Sequence, residues 1–197
     1  IDDTELQSNN NYSCPQSLFK LHPDFDDIIL KILQNDKKAK IYLIKSKEAI
    51  FSKKIYDRLN KKMPNFIDKI IFINKLSEEE YINHCGKASV LLDPLYFGAG
   101  NSFHESMFYG TPTITLPTNF LRSKIVEGAY KQLEIKDAPV VKNVDDYVSS
   151  AVEIANLNPK KTLEIKKYYA ECADKNLFEN KNALQSFQKI LLEVVKK

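Results

Sequence analysis

Three of the five glycines in this 197-residue chain, Gly98, Gly100 and Gly110, fall in one short window, with Pro94, Pro112 and Pro117 close by. The window runs from Asp93 to Pro117, DPLYFGAGNSFHESMFYGTPTITLP. Its apolar lead-in, Val90-Leu91-Leu92, stops at Asp93-Pro94, where proline withdraws from strand pairing. The loop from Leu95 to Gly100 then leads into a helix beginning near Asn101-Ser102. Gly98 and Gly100 would let the backbone approach a ligand closely and adopt positive φ, and a helix start offers unpaired N–H groups and the positive end of a dipole. That combination suits a phosphate. Ser102 adds a hydroxyl donor, and Glu105, one turn into the helix, can reach back to accept hydrogen bonds from two neighbouring ribose hydroxyls. Read alone, the same residues also fit a tight strand-to-helix turn in which Asn101 is the N-cap and Glu105 complements the dipole.

The elements that must position this loop follow from hydrophobic patterning. Apolar runs rich in β-branched or aromatic residues at Ile41 to Ile44, Ile70 to Ile73, Val90 to Leu92 and Thr113 to Leu116 show little polar alternation and read as strands buried on both faces. Weaker strands are expected at Asn11 to Cys14 and Pro139 to Val141. Helical patterns separate them: Asp24 to Gln34, Glu48 to Lys62, Glu78 to Cys85, Phe103 to Tyr109 and Leu121 to Gln132. Ser77 with Glu80 fits a capping box, and Pro23 with Asp24 and Asp26 marks another helix start. Strand alternating with helix implies an α/β fold, a Rossmann-like parallel sheet of about six strands with helices on both faces. From residue 143 the chain is mainly helical, with patterns over Val144 to Ala155, Lys161 to Ala173 and Asn182 to Val195, and these last helices have faces that could also cover a partner domain. The glycine loop then lies at the carboxyl end of a parallel strand, the edge where open α/β sheets bind ligands.

Composition narrows the function classes. With 43% hydrophobic residues, the chain has the size and apolar content of one domain, here assigned to residues 11–197, after a polar linker over 1–10 that suggests a piece of a longer polypeptide. The charge of +3, from 29 basic and 26 acidic residues, is too balanced for a nucleic-acid binder, and Arg58 and Arg122 are the only arginines available to read bases. No apolar run approaches the roughly 20 residues that span a bilayer, so no membrane association is expected. Cys14, Cys85 and Cys172 are widely spaced and odd in number, which argues against a disulfide framework or zinc site and for reduced thiols in the cytoplasm. No paired carboxylates stand ready for a metal.

Three blocks in order, CPQSLFKLHPDF from Cys14 to Phe25, SVLLDPLYFGAGNSFHESMFYGTPTITLP from Ser89 to Pro117, and LFENKNALQSFQ near the C-terminus, resemble the catalytic C-terminal half of the O-GlcNAc transferase and SPINDLY family. Its bacterial members join tetratricopeptide repeats to a two-lobed GT-B glycosyltransferase. The resemblance implies one GT-B lobe that binds a nucleotide-sugar donor, UDP-GlcNAc or a GDP-sugar, as substrate and without a further cofactor, for transfer to Ser or Thr of an acceptor protein. Its implied partners are an N-terminal lobe and the repeats. Lys20 would meet the diphosphate as the catalytic cation, the Gly100-Asn101-Ser102 turn would cradle it, and Glu105 would bind the ribose. Without the resemblance, Lys20 reads as an exposed loop lysine.

Gln16 and Ser17 precede Lys20 and can contact phosphate or sugar, or else satisfy backbone groups in a turn. Arg122 opens the helix after the Thr113 strand and either faces the same edge or is a solvated helix arginine. Where animal O-GlcNAc transferases recognise uridine with a lysine and an arginine, this chain has Glu78, Tyr81 and His84, so a base pocket is expected there with base and sugar open. His22, beside a proline at a helix start, reads as structural. The competing reading is a non-catalytic nucleotide-binding or protein-interaction module on the same fold. A dehydrogenase-type Rossmann domain is disfavoured because the glycine loop follows a late strand.

Overall fold

The computed structural model describes residues 10–178 and 180–195. The expected linker over residues 1–10 lies outside that range except for Asn10, which opens the first strand. Five parallel strands form one sheet in the order β3-β2-β1-β4-β5: β1 (Asn10–Cys14), β2 (Ala39–Ile44), β3 (Ile70–Ile73), β4 (Val90–Leu92) and β5 (Thr113–Ile114). The chain reverses direction across the sheet after β3, so β1 and β4 are neighbours with their connections departing to opposite sides. That pair is the topological switch point, where the following loops diverge and leave a crevice.

The sixth strand expected at Pro139 to Val141 is a single parallel bridge between Thr115 and Val140. The Thr115 N–H donates to the Pro139 carbonyl at 3.1 Å and the Val141 N–H to the Thr115 carbonyl at 2.9 Å. A ladder cannot extend from there, because Pro139 lacks a donor and Pro117 closes the opposite run. Pairing in β5 is likewise confined to two residues rather than Thr113 to Leu116.

One face of the sheet is the apolar core. Tyr12, Cys14, Ile41, Leu43, Val90, Leu92 and Ile114 meet α1 (Pro23–Asn35), α2 (Ala49–Lys62) and, later in the chain, α6 (Val144–Ala155). The helix α1 buries Phe25, Ile28, Ile29 and Ile32 at the spacing of one helical stripe. The other face carries α3 (Glu78–Lys87) over Leu91, with Cys85 and Ala88 buried there. Beside it α4 (Asn101–Ser106), α5 (Ile125–Gln132) and α7 (Pro159–Asn176) share a second cluster around Phe103, Met107, Tyr130 and Tyr169. The Ser77–Glu80 capping box is present, and Asn143 and Asn158 cap α6 and α7. The last helix, α8 (Lys181–Val195), leaves Leu184, Phe187, Ile190, Leu191 and Val194 exposed.

Two features of the glycine window depart from expectation. The helix expected over Phe103 to Tyr109 ends at Ser106, and the chain tightens into three-residue turns up to Gly110, where φ is 62°. A side chain at Gly110 would collide with the Lys166 carbonyl of α7, so this glycine serves close helix packing as well as turn geometry. Gly98 and Gly100 do not have positive φ; within the loop that conformation belongs to Tyr96, at 67°.

Candidate functional site

The carboxyl edge at the switch point brings the loop after β1 against the loop after β4. The first is shaped by a 3-10 turn, Leu18–Lys20, closed by the Lys20 N–H on the Ser17 carbonyl at 2.9 Å. Its exit is held by Arg58 of α2, whose Nη2 donates to the Leu21 carbonyl at 2.9 Å while Nε and Nη2 fork onto the buried Asp26 carboxylate at 2.8 Å each. The planar fork meets the carboxylate through two parallel bonds and still reaches the carbonyl, a geometry a point-charge ammonium does not offer. Burial raises the pKa of Asp26, and Arg58 opposes that rise.

Lys20 reaches from this turn across to the glycine loop. Its Nζ donates to Gln16 Oε1 at 2.9 Å and to the Gly98 carbonyl at 3.2 Å, and lies 4.8 Å from the centre of the Phe97 ring. Gln16 is buried and donates through Nε2 to Ser102 Oγ at 2.7 Å. Four of the sequence-selected residues therefore form one connected group, although Gln16 and Ser102 are 86 positions apart. Burial lowers the pKa of the Lys20 ammonium, and the charge of Asp93 pulls it back up. Gly100 caps α4, and a Cβ there would meet nothing within 4 Å, so its surroundings are open. Since α4 has only six residues, its dipole is short, and the polarity of the site rests on individual N–H groups, Ser102 and Lys20.

Asp93 lies beneath the loop, a residue that in the sequence alone reads only as a strand end. Its side chain accepts the Ala99 N–H at 2.6 Å through Oδ1 and the Thr115 hydroxyl at 2.7 Å through Oδ2, while its carbonyl accepts the Tyr147 hydroxyl at 2.9 Å. Burial pushes its pKa up to about 7 against those two donors and the more distant Lys20. Phe97 also escapes sequence reading; it supports both cations, with the Arg122 guanidinium 5.8 Å away. The only local signal for either residue is a buried strand running into Asp-Pro and an aromatic beside a glycine.

A cleft of about 390 Å³ opens next to Lys20, above β1, β2 and β3, lined by residues 15–19 and 44–48 with Phe51, Lys75, Leu76 and Tyr81. Of the three residues expected at a base pocket, Tyr81 lines this cleft, and its hydroxyl donates to the Pro15 carbonyl at 3.3 Å. Glu78 lines a separate groove with Phe108 and Tyr109. His84 instead packs on the sheet: Nε2 is 2.7 Å from the Ser13 hydroxyl, its ring stands edge-on to Tyr42, and burial pulls its pKa down to about 4. Glu105 is half-buried on α4; burial raises the pKa of Tyr81 and of Cys85, and the nearby Glu105 charge adds a little to both.

Ser17 and Asn101 are exposed at the rim. Arg122 is exposed as well, in a 3-10 turn, Leu121–Ser123, rather than in a helix; its Nε donates to the Tyr96 carbonyl at 2.9 Å and its guanidinium lies over Phe120 at 4.7 Å. His22 is occupied as the cap of α1, accepting the Asp24 N–H through Nδ1. Among the described residues no three His, Cys, Asp or Glu side chains converge as a metal ligand set, and no helix is long and apolar enough to cross a membrane.

This architecture has relatives. A mutant form of O-GlcNAc transferase from Thermobaculum terrenum superposes with a TM-score of 0.81 over 94% of this chain and 35% of that one, at 13% identity. Trehalose-6-phosphate synthase from E. coli, bound with UDP-2-fluoro glucose, matches with a TM-score of 0.61 over 98% of this chain and 45% of that one, at 12% identity. In sequence, the UDP-N-acetylglucosamine–peptide N-acetylglucosaminyltransferase of Caenorhabditis elegans is 26% identical over 141 residues, 70% of this chain but 12% of that protein. The chain thus spans a minor part of each relative's length. A family model, Glycosyl transferase family 41, matches residues 8–187. The crevice at the switch point therefore sits in a GT-B lobe, and the chain belongs to glycosyl transferase family 41.

Proposed function

We propose that this chain is the donor-binding part of an inverting protein O-glycosyltransferase that moves GlcNAc or a related sugar from a UDP- or GDP-sugar to Ser or Thr of an acceptor protein. The observation that carries this reading is the convergence of Gln16, Lys20, Gly98 and Ser102 at the switch point. The diphosphate lies across the Gly100–Ser102 backbone with the Lys20 ammonium against it, Glu105 accepts from the ribose, and the nucleoside points towards the cleft beside Tyr81. Transfer needs no covalent intermediate. The acceptor oxygen attacks the anomeric carbon, the bond from that carbon to the phosphate oxygen breaks, and negative charge collects on the departing diphosphate, where a preorganised cation and N–H donors stabilise it most. The acceptor proton leaves to a base outside this lobe.

Binding and transfer therefore separate: the 197 residues alone bind a nucleoside diphosphate and transfer nothing. Calorimetry with UDP and with GDP tests this. Lys20→Ala removes a charged partner of the diphosphate and should weaken binding roughly tenfold to a hundredfold, with a smaller loss for Glu105→Ala. The reading fails if neither nucleotide binds, or if both variants bind as the parent does. A donor screen on the longer protein separates a transferase from a binding module, which would hold a nucleotide sugar yet neither glycosylate an acceptor nor hydrolyse the donor.

A further inference from the structure

We propose that Asp93 is a positioning residue of this site: its buried carboxylate fixes the turn over residues 95–100 in the form that lets Gly98 orient the Lys20 ammonium. The inference rests on the nucleotide reading above and deepens it by naming what holds the site in shape. Asp93 ties its own strand end to three other places: the β5 segment, α6 and the loop. Its N–H pairs with the Ile114 carbonyl in the sheet, its carbonyl receives Tyr147 from α6, Oδ2 receives Thr115 beyond β5, and Oδ1 receives the Ala99 N–H at 2.6 Å.

Gly98 is pressed against that carboxylate so closely that a Cβ on it would lie 2.8 and 2.9 Å from the two oxygens. Held there, Gly98 turns its N–H to the Arg122 carbonyl at 3.0 Å and its own carbonyl to Lys20 Nζ at 3.2 Å. Glycine is thus required at 98 by the side chain below it rather than by its φ. The Asp93 carboxylate lies under the loop and the diphosphate over it; Asp93 acts through Gly98 and Ala99, so its removal should free the loop first and weaken anion binding as a result.

Two readouts on the 197-residue chain test this: calorimetry with UDP and with GDP, and hydrogen exchange of the backbone amides of residues 97–102. Asp93→Ala should weaken diphosphate binding roughly tenfold and deprotect the Ala99 amide. Asp93→Asn keeps an acceptor for Ala99 and should stay within about threefold of the parent. Gly98→Ala should weaken binding as Asp93→Ala does, and the double variant should be no weaker than the weaker single, because removing the carboxylate makes room for the new methyl group. Tyr130→Phe, which strips hydroxyl bonds from Thr113 elsewhere in the core, should lower stability and leave affinity unchanged.

The inference is overturned if Asp93→Ala binds as the parent does, if the two single losses add in the double variant, or if Tyr130→Phe weakens binding as much at equal stability. Should Asp93→Ala fail to fold, Gly98→Ala and Asp93→Asn decide: loss in the first and retention in the second support the inference, and any other pairing overturns it. Failure of the nucleotide reading looks different, since then the parent chain binds neither UDP nor GDP; an unprotected Ala99 amide in the parent overturns the positioning role by itself.

Discussion

Asp36 and Asp93 are almost equally buried, at 6% and 3% exposure, and stand at opposite ends of the sheet. At the amino end, Asp36 collects the Asn10 amide at 2.6 Å, the Tyr12 hydroxyl at 2.7 Å, the Lys38 N–H at 2.8 Å and the Asn156 amide at 3.4 Å. Burial acts to raise its pKa, but the four donors outweigh it and hold the value below the ordinary 3.8. At the carboxyl end, burial acts on Asp93 against only two direct donors and wins, lifting it to about 7. Both are shielded from solvent, but Asp93 sits deeper in the protein and has fewer donors, so burial weighs more on it than on Asp36. The amino edge is closed on itself, whereas the carboxyl edge keeps a carboxyl group whose charge burial disfavours beneath the loop that faces the ligand crevice, which is where perturbed groups gather in working sites.

The sharpest way to break this comparison is to neutralise each aspartate in turn. Asp36→Asn turns an amide towards donors that need an acceptor and should cost about 3 kcal/mol in urea unfolding near neutral pH. Asp93→Asn under the same conditions should cost far less, because the charge it removes is one the fold disfavours. Equal losses would mean that the two ends are satisfied alike.

Much of this architecture is legible in the chain, for reasons that differ element by element. The helix Val144–Ala155 stands at its expected bounds because Asn143 and the apolar stripe act locally, and the Ser77–Glu80 box is likewise a short-range signal. The sixth strand does not form because pairing depends on a partner, and Pro117 and Pro139 deny it one beyond Thr115. At the site, Gly98 to Ser102 stand out through spacing, and Lys20 through the family resemblance, but the Gln16–Ser102 bond crosses 86 positions and no local pattern encodes it. Asp93 resembles a plain strand terminator because its burial is set by Thr115, Ala99 and Tyr147, all distant in sequence or hidden in a loop. His84 departs from its expected place in a base pocket for a similar reason: a polar residue on α3 meets a polar Ser13 in the middle of the sheet face.

The next effect, smaller for each pH unit, is the pH dependence of Asp93. Its folded pKa, about 7, exceeds the ordinary 3.8, so the folded state holds more protons than the unfolded one between those values. The group therefore contributes stability that is full below about 3.8 and lost as pH rises through about 7. Relative to the parent, Asp93→Asn should gain stability as pH rises across that window, by at most about 1.4 kcal/mol per pH unit, and then level off. Denaturant unfolding at roughly pH 4.5, 6 and 8 would show it. A constant offset would assign Asp93 an ordinary, compensated charge like that of Asp36.

His84 supplies the smallest effect and a control of opposite sign. Burial is again the main cause, but it disfavours a cation here, so the folded pKa of about 4 lies below the ordinary 6.5. Between those values the unfolded state holds more protons, and the contribution of His84 is present above 6.5 and lost as pH falls towards 4. His84→Gln keeps a partner for Ser13 and removes the titration. In the parent the two slopes oppose each other across this shared window and largely cancel, while Asp36 begins to lose its contribution only below 3.8. Each single variant should unmask the other group: Asp93→Asn becomes less stable as pH falls from 6.5 to 4, and His84→Gln becomes more stable. The double variant should return to the slope of the parent. Single variants that run parallel to the parent across that window would show that neither group titrates under the influence of burial, and the contrast between the two ends of the sheet would then rest on hydrogen bonds alone.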